Sequence, residues 1–181
     1  MLSGRRLDLL NPSPLDIEIE DIAHGLSFLA RWNGQTVGDY PFSVAQHSLL
    51  VENIFSMQFP DMDNPSKLFA LLHDSAEYVI GDMISPIKSH LGAEYEELDE
   101  NLTKAICMRF NIPTKKIETI KKRIKLADKK AAWLEATHLA GFSQQEADSV
   151  FGKQKRIKGF ESSLLPEAPF FVRKKFVNRF N

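Results

Sequence analysis

The sequence contains a single cysteine, Cys107, and this scarcity excludes several kinds of structure. One thiol cannot close an intramolecular disulfide, and it cannot supply a cysteine-based zinc cluster. A chain without disulfides suits a reducing compartment, so we expect a cytoplasmic protein. The segment from Met1 to Glu20 has no apolar stretch after Arg5 and Arg6, and no later run reaches the length of a membrane span. We therefore expect neither secretion nor a membrane partner.

An excess of charge of either sign is also absent, since the formal net charge is -1 at pH 7. The surface as a whole gives no electrostatic reason to expect a nucleic acid or an anionic membrane as a partner. The chain has 181 residues, of which 43% are hydrophobic, which is enough for one well-filled core and short for two. These properties predict one domain covering residues 1–181.

The sequence also lacks a convincing alternating pattern of the kind that forms strands, and its apolar residues recur instead at helical spacing. The clearest case lies between Thr114 and Gly141, where six positions repeat along one face: Ile117, Ile120, Ile124, Ala127, Ala131 and Leu134. Capping residues, prolines and glycines predict six further helices. The first begins at Ser43 with Gln46 as its capping-box partner, and the others are predicted from Asn64-Pro65 to Gly81, from Ser85-Pro86 to Gly92, from about Glu94 to Phe110, between Ser143 and Gly152, and from Pro169 to Phe180. The chain is therefore predicted to be an all-α bundle.

Four side chains in this helical pattern have the chemistry of a metal site: His47, His73, Asp74 and Asp128. Asp128 follows Ile124 by one helical turn, so a carboxylate lies on the face that should pack inward, where an unpaired charge would be costly. Asp128 could instead pair with a lysine of its own helix, and His73 could be a hydrogen-bonded core histidine. Together, however, imidazole and carboxylate ligands suit one divalent transition ion, Mn, Fe, Co, Ni or Zn, better than they suit Ca.

The order His47, then Leu71-Leu72-His73-Asp74, then Asp128 resembles the H…HD…D signature of the HD-domain metal phosphohydrolases. The match continues after the pair, because Glu77, Gly81-Asp82 and Ser85-Pro86-Ile87-Lys88 fit the pattern H-D-x-x-E-x-x-x-G-D-x-x-x-P-x-K. This pattern is similar to the branch that contains the 5'-deoxynucleotidases and the small phage-type dATP triphosphohydrolases. The resemblance covers about Ile17 to Ala140 and implies an α-helical bundle around one or two metal ions. Residues 141–181 are expected to form a C-terminal helical extension.

By the same resemblance, Glu77 and Asp82 are expected to be catalytic carboxylates, with Glu77 as general base or acid one turn beyond His73 on the same helix. The alternatives are a solvated Glu77 and an Asp82 that only caps a turn. The family places basic phosphate-contacting residues at the positions of Arg31, Lys88 and Lys125, because phosphoryl transfer needs positive charge. Trp32 could stack on a nucleobase, or it could simply fill the core.

The segments Asp21 to Ser27, Arg31-Trp32 and Ser43 to Ser48 resemble the triphosphohydrolases more closely than the 5'-deoxynucleotidases. The resemblance therefore implies release of tripolyphosphate from a deoxynucleoside triphosphate, by attack on the phosphorus next to the 5' oxygen. Hydrolysis of deoxynucleoside 5'-monophosphates is the alternative within the same chemistry. One divalent ion would activate the attacking water, and a second could lie on the substrate phosphates. The resemblance also implies an assembly of identical subunits.

Two interpretations from other classes stay open. The segment from Lys115 to Lys130 is rich in lysine and could be a nucleic-acid-binding helix, but no aromatic residues interleave with its lysines, so we expect a solvated face. The chain could also be a catalytically silent HD module that binds or senses a nucleotide, although a structural site would not need the carboxylates and lysines beside the ligands. A cyclic-dinucleotide phosphodiesterase is disfavoured, because no Gly-Tyr-Pro motif follows the His-Asp pair.

Overall fold

The computed structural model describes residues 1–154 and 159–181, apart from the side chain of Lys116. These residues form nine α-helices: α1 (Ile19–Phe28), α2 (Val44–Gln58), α3 (Asn64–Leu71), α4 (Glu77–Ile80), α5 (Ser85–Leu91), α6 (Ala93–Arg109), α7 (Thr114–His138), α8 (Gln144–Phe151) and α9 (Pro169–Phe180). Short 3-10 segments cover Pro14–Asp16, Trp32–Gly34 and Glu161–Leu164. Extended pairing within the described ranges is limited to one bridge between Ala30 and Ser43. The all-α prediction is therefore confirmed.

The capping box predicted at the start of α2 is confirmed only in its first half. Ser43 Oγ accepts a hydrogen bond from the backbone amide of Gln46 at 3.2 Å, as an N-cap should. The Gln46 side chain does not close the box, since its Nε2 donates to the carbonyl of Leu165 at 2.8 Å. Its Oε1 accepts from the amide of Glu167 at 3.3 Å. Gln46 thus ties the start of α2 to the segment before α9.

The single helix predicted from Asn64 to Gly81 is wrong in its middle and at its cap. Asp63, not Asn64, is the N-cap residue of α3, and residues 72–76 form a turn between α3 and α4. His73 Nδ1 lies 2.9 Å from the carbonyl oxygen of Ala70, which is the acceptor that an uninterrupted helix would offer to the amide of Asp74. His73 and Asp74 therefore lie on a tight turn, and Glu77 begins a different helix.

The predicted apolar face of α7 is confirmed as part of the core. All six of its residues are buried, and α7 packs against α2, α3, α6 and α8. The facing side of α2 buries Leu50, Val51, Ile54 and Phe55. Because α2 carries His47 and α7 carries Asp128, the contact between these two helices brings the distant candidate ligands together.

The helices α1 and α9 complete the packing around α2 and α7. α9 buries Val172 and Phe176 and packs against α1 and α2, so much of its apolar face is used within the fold. α1 approaches α4 closely at Gly25, where an added Cβ would lie 3.0 Å from Cβ of Tyr78. Among the described helices, none has both the length and the apolar character needed to cross a bilayer.

Candidate metal centre

Three side chains from distant parts of the chain converge between α2, the 72–76 turn and α7. His47, His73 and Asp128 each offer one ligand atom, and these atoms all lie within 4.8 Å of one another. His47 Nε2 is 3.4 Å from Asp128 Oδ1. His47 is fully buried, whereas 18% of the Asp128 side chain is exposed, so the cluster lies at the inner end of an open site. A cluster of this composition and spacing could bind a divalent metal ion.

Both imidazoles of the cluster are oriented with Nε2 toward its centre. His47 Nδ1 lies 2.5 Å from Glu135 Oε1, and His73 Nδ1 lies 2.9 Å from the carbonyl oxygen of Ala70. In the neutral form of each ring, this acceptor keeps the proton on Nδ1, which leaves the lone pair on Nε2. Both Nε2 atoms are buried and make no regular hydrogen bond, but carboxylate oxygens of Asp74 or Asp128 lie 3.1 to 3.5 Å from them. Two buried imidazole nitrogens that face carboxylates form an arrangement that a cation would stabilise.

Asp74 lies beside the cluster and faces both histidines. Its Oδ2 is 3.1 Å from His73 Nε2 and 3.5 Å from His47 Nε2. Burial opposes ionisation of this carboxyl group, but the adjacent His73 and His47 hold its pKa well below the usual range. Burial likewise opposes ionisation of Asp128, and contact with His47 holds the pKa of Asp128 low. Both carboxylates are therefore anionic at neutral pH and suited to a cation.

His47 itself binds a proton tightly in the absence of a metal ion. Burial and the charge of Arg31 both oppose the imidazolium form, but the carboxylates of Glu135 and Asp128 outweigh them and raise the pKa of His47 to about 9. A metal ion that binds Nε2 must therefore displace a proton at neutral pH.

Glu135 is the site residue that the sequence analysis missed. It is fully buried on α7, seven residues and thus two turns beyond Asp128, so both carboxylates lie on one helix face. Its Oε2 accepts hydrogen bonds from Arg31 Nε and Trp32 Nε1, each at 2.9 Å. Its position on the apolar face, between Ala131 and Leu139, is the signal that could have identified it.

Arg31 and Trp32 thus support the candidate metal cluster through Glu135. The Arg31 side chain is only 13% exposed, and its Nη1 lies 3.9 Å from Asp82 Oδ2. The Trp32 ring packs edge-on against Phe142 and Phe151, with centroids 5.7 and 6.1 Å away. The contacts of Arg31 and Trp32 with substrate, and the catalytic role of Asp82, stay predictions from the family resemblance.

Glu77 is buried rather than solvated, and it faces Lys88. Its side chain is 3% exposed, its Oε1 accepts a hydrogen bond from Lys88 Nζ at 2.9 Å, and its buried Oε2 has no partner. Burial and the nearby charge of Asp74 raise the pKa of Glu77 to about 8, although Lys88 opposes the shift. Lys88 also lies over the ring of Tyr95, 5.7 Å from its centroid. Glu77 can therefore exchange a proton close to neutral pH.

A cleft of ≈ 500 Å³ lies beside the cluster, between α6 and α7. His73, Asp74 and Asp128 line one part of it, and Phe69, Ile117 and Ile124 give it an apolar portion. Four lysines also line the cleft: Lys104, Lys121, Lys122 and Lys125. Asp99, Glu100 and Glu118 also line the cleft, so its polar portion carries charges of both signs. An apolar surface beside lysines and a candidate metal cluster could receive an organic molecule that carries phosphate.

The lysines of α7 are partly paired with acidic neighbours. Lys125 Nζ donates to Asp128 Oδ2 at 2.7 Å, so the within-helix ion pair considered for Asp128 forms alongside the candidate metal cluster. Lys121 Nζ lies 3.7 Å from Glu118 Oε1. The side chains of Lys125 and Lys121 are 67% and 53% exposed, so both lysines have room to turn toward a ligand. A role for Lys125 in binding phosphate stays a prediction.

Comparison with known proteins places the chain in a family without adding a function. No protein-family model matches it. It is 55% identical over 181 residues to an uncharacterized protein of Rhodobacter capsulatus, in an alignment that covers 99% of this chain and 91% of that protein. At this identity and coverage, the chain belongs to the same family as the Rhodobacter protein.

Proposed function

We propose that this protein is a metal-dependent phosphohydrolase of deoxynucleotides with an HD-type helical bundle. The observation that carries the proposal is the convergence of the buried Nε2 atoms of His47 and His73 on the carboxylates of Asp74 and Asp128. The motif resemblance supplies the reaction class, and the geometry around the cluster is consistent with it. A catalytically silent module is disfavoured, because a structural site would need neither the buried Glu77 nor the Lys88 that binds it.

The side chains fit a divalent transition ion. His47, His73 and Asp128 would hold it, and Asp74, whose Oδ2 lies within 3.5 Å of both Nε2 atoms, would be the fourth ligand. Two neutral imidazoles and two carboxylates form a mixed nitrogen and oxygen donor set, which suits Mn, Fe, Co, Ni or Zn. When bound, such an ion acidifies a water nucleophile and polarises a phosphoryl oxygen.

Side chains of the protein would transfer the proton and neutralise the charge on the phosphate. Because its pKa is about 8, Glu77 would be mostly protonated at pH 7 and would pass a proton to the leaving 5' oxygen, whereas at higher pH it would accept one from the attacking water. Lys88 holds one carboxylate oxygen of Glu77 and so fixes its orientation. Lys125, beside Asp128 in the cleft lining, would neutralise charge that develops on the phosphate.

The cleft would receive the remainder of the nucleotide. Its volume of ≈ 500 Å³ is in the range of small-molecule sites, and its apolar portion could contact a base or sugar. The preference for a triphosphate substrate rests on the motif resemblance upstream of His47, with 5'-monophosphate hydrolysis as the alternative.

Product analysis tests the proposal. Metal-stripped protein is reloaded with Mn²⁺, Co²⁺ or Zn²⁺ and incubated with deoxy- and ribonucleoside mono- and triphosphates, and the products are separated by chromatography. We expect deoxynucleoside and tripolyphosphate from a deoxynucleoside triphosphate. Orthophosphate from monophosphates alone would instead support the 5'-deoxynucleotidase. The absence of a metal-dependent product from any nucleotide would contradict the proposal.

A further inference from the structure

Glu135 has more partners than a buried carboxylate needs for its own neutralisation. It is fully buried, and the ion pair with Arg31 would already compensate its charge. It nevertheless also binds His47 through Oε1 and Trp32 through Oε2. These partners lie 88 and 103 residues away along the chain, in α2 and in the 3-10 segment after α1. Glu135 is therefore the point at which three segments of the site are joined.

The two oxygens of Glu135 face different parts of the site. Oε1 faces His47 Nδ1, and the other nitrogen of that ring, Nε2, is 3.4 Å from Asp128 Oδ1. Oε2 faces Arg31, which in turn lies 3.9 Å from Asp82. The carboxylate thus contacts a candidate ligand on one side and, through Arg31, a candidate catalytic acid on the other.

We propose that Glu135 is a positioning residue of the metal centre, which keeps the proton of the neutral His47 ring on Nδ1 and presents Nε2 to the ion while it orders Arg31 and Trp32. A carboxylate that orients a ligating histidine in this way also makes the imidazole a stronger donor. The inference rests on the metal site of the proposed function, but it does not depend on which substrate the site takes.

Glu135→Gln tests this role because the amide is nearly isosteric but has only one acceptor oxygen. If that oxygen stays with Arg31 and Trp32, the amide nitrogen faces His47 Nδ1 and favours the other ring tautomer, with the proton on Nε2. That tautomer cannot bind a metal ion through Nε2. We expect the affinity for Mn²⁺ or Co²⁺, measured by competition with a chelator and corrected for the proton that His47 releases on binding, to fall by about 10- to 100-fold.

Glu52→Gln is the matched control. Glu52 is also a buried glutamate, 3% exposed, and its oxygens accept hydrogen bonds from Arg179 and Ser56. It lies on the same helix as His47 but takes no part in the metal cluster. We expect its substitution to affect stability while metal affinity stays within about twofold of the wild type. Equal losses of affinity in the two variants would overturn the proposal, since the effect would then be general to buried glutamates.

Histidine NMR gives a readout that a structural role alone would not change. In zinc-loaded wild type, long-range ¹H–¹⁵N spectra should show His47 with the proton on Nδ1 and the metal on Nε2; Glu135→Gln should lose this pattern. If the variant does not fold, Glu135→Asp keeps the charge, withdraws it by one methylene and serves for the same measurements. Wild-type affinity in the Glu135 variant would overturn the proposal, as would a wild type that binds no metal ion. Weakened binding by the variant would support it even if no nucleotide were hydrolysed, which would refute the proposed function alone.

Discussion

Metal binding to this protein should release a proton from His47 and should strengthen steeply as the pH rises. In the metal-free chain, Glu135 and Asp128 outweigh burial and the charge of Arg31 and raise the pKa of His47 to about 9. The Nδ1 proton is held by Glu135, so the titrating proton is the one on Nε2. An ion that binds His47 must remove that proton, and higher pH favours binding until the ring is already neutral.

The expected size of this effect distinguishes the raised pKa from an ordinary one. With a pKa of about 9, the apparent affinity should rise roughly 25-fold between pH 7 and pH 8.5, with about one proton released per ion. A histidine with the usual pKa of about 6.5 is already mostly neutral at pH 7, so the same change would be less than about twofold.

Calorimetry in buffers of different ionisation enthalpy measures both the affinity and the number of protons released. Glu135→Gln removes a carboxylate that raises the pKa of His47, so this variant should show a flatter pH dependence as well as weaker binding. An affinity that is constant from pH 7 to pH 8.5 in the wild type, with no proton released, would refute this account of His47.

Four further substitutions follow from the geometry. Glu77→Gln should retain the metal ion and lose about 10²- to 10⁴-fold in turnover, whereas Asp128→Ala should lose the metal ion and activity together. Elemental analysis measures the bound metal, and equal metal loss in the two variants would mean that Glu77 is a ligand. Lys125→Ala should keep the metal ion and weaken kcat/KM, and unchanged kinetics would remove Lys125 from the phosphate site. Gly25→Ala would place a Cβ 3.0 Å from Tyr78 and should destabilise the fold by about 1–3 kcal/mol in urea melts, and unchanged stability would show that α1 and α4 can separate freely.

The parts of the fold that depend on local periodicity could be predicted from the sequence. The apolar face of α7 repeats over six positions, and each of them is buried. Ser143 and Glu146 form a complete capping box, which set the start of α8. Such signals depend on residues only three or four positions apart, so one sequence is enough to find them.

The features that could not be predicted depend on contacts that are distant in sequence or on competition for backbone groups. The helix ends after α3 where the His73 ring, rather than a backbone amide, lies against the carbonyl of Ala70. The spacing of apolar residues gives no sign of this change of hydrogen-bond partner. Gln46 was expected to cap its own helix, but a partner 119 residues away binds it instead. Glu135 acquires its role from His47, Arg31 and Trp32, all about 90 to 100 residues earlier in the chain. The sequence could show that a carboxylate lay on an apolar face, but not what it would meet there.

The most direct test of the central proposal is hydrolysis of a deoxynucleoside triphosphate in ¹⁸O-labelled water, by metal-stripped protein with and without added Mn²⁺. Attack of water on the phosphorus next to the 5' oxygen should release unlabelled deoxynucleoside and place one ¹⁸O atom in tripolyphosphate, only when the ion is present. Label in orthophosphate or pyrophosphate would show attack at another phosphorus. The same products without the ion, or none with it, would contradict the role assigned to His47, His73 and Asp128.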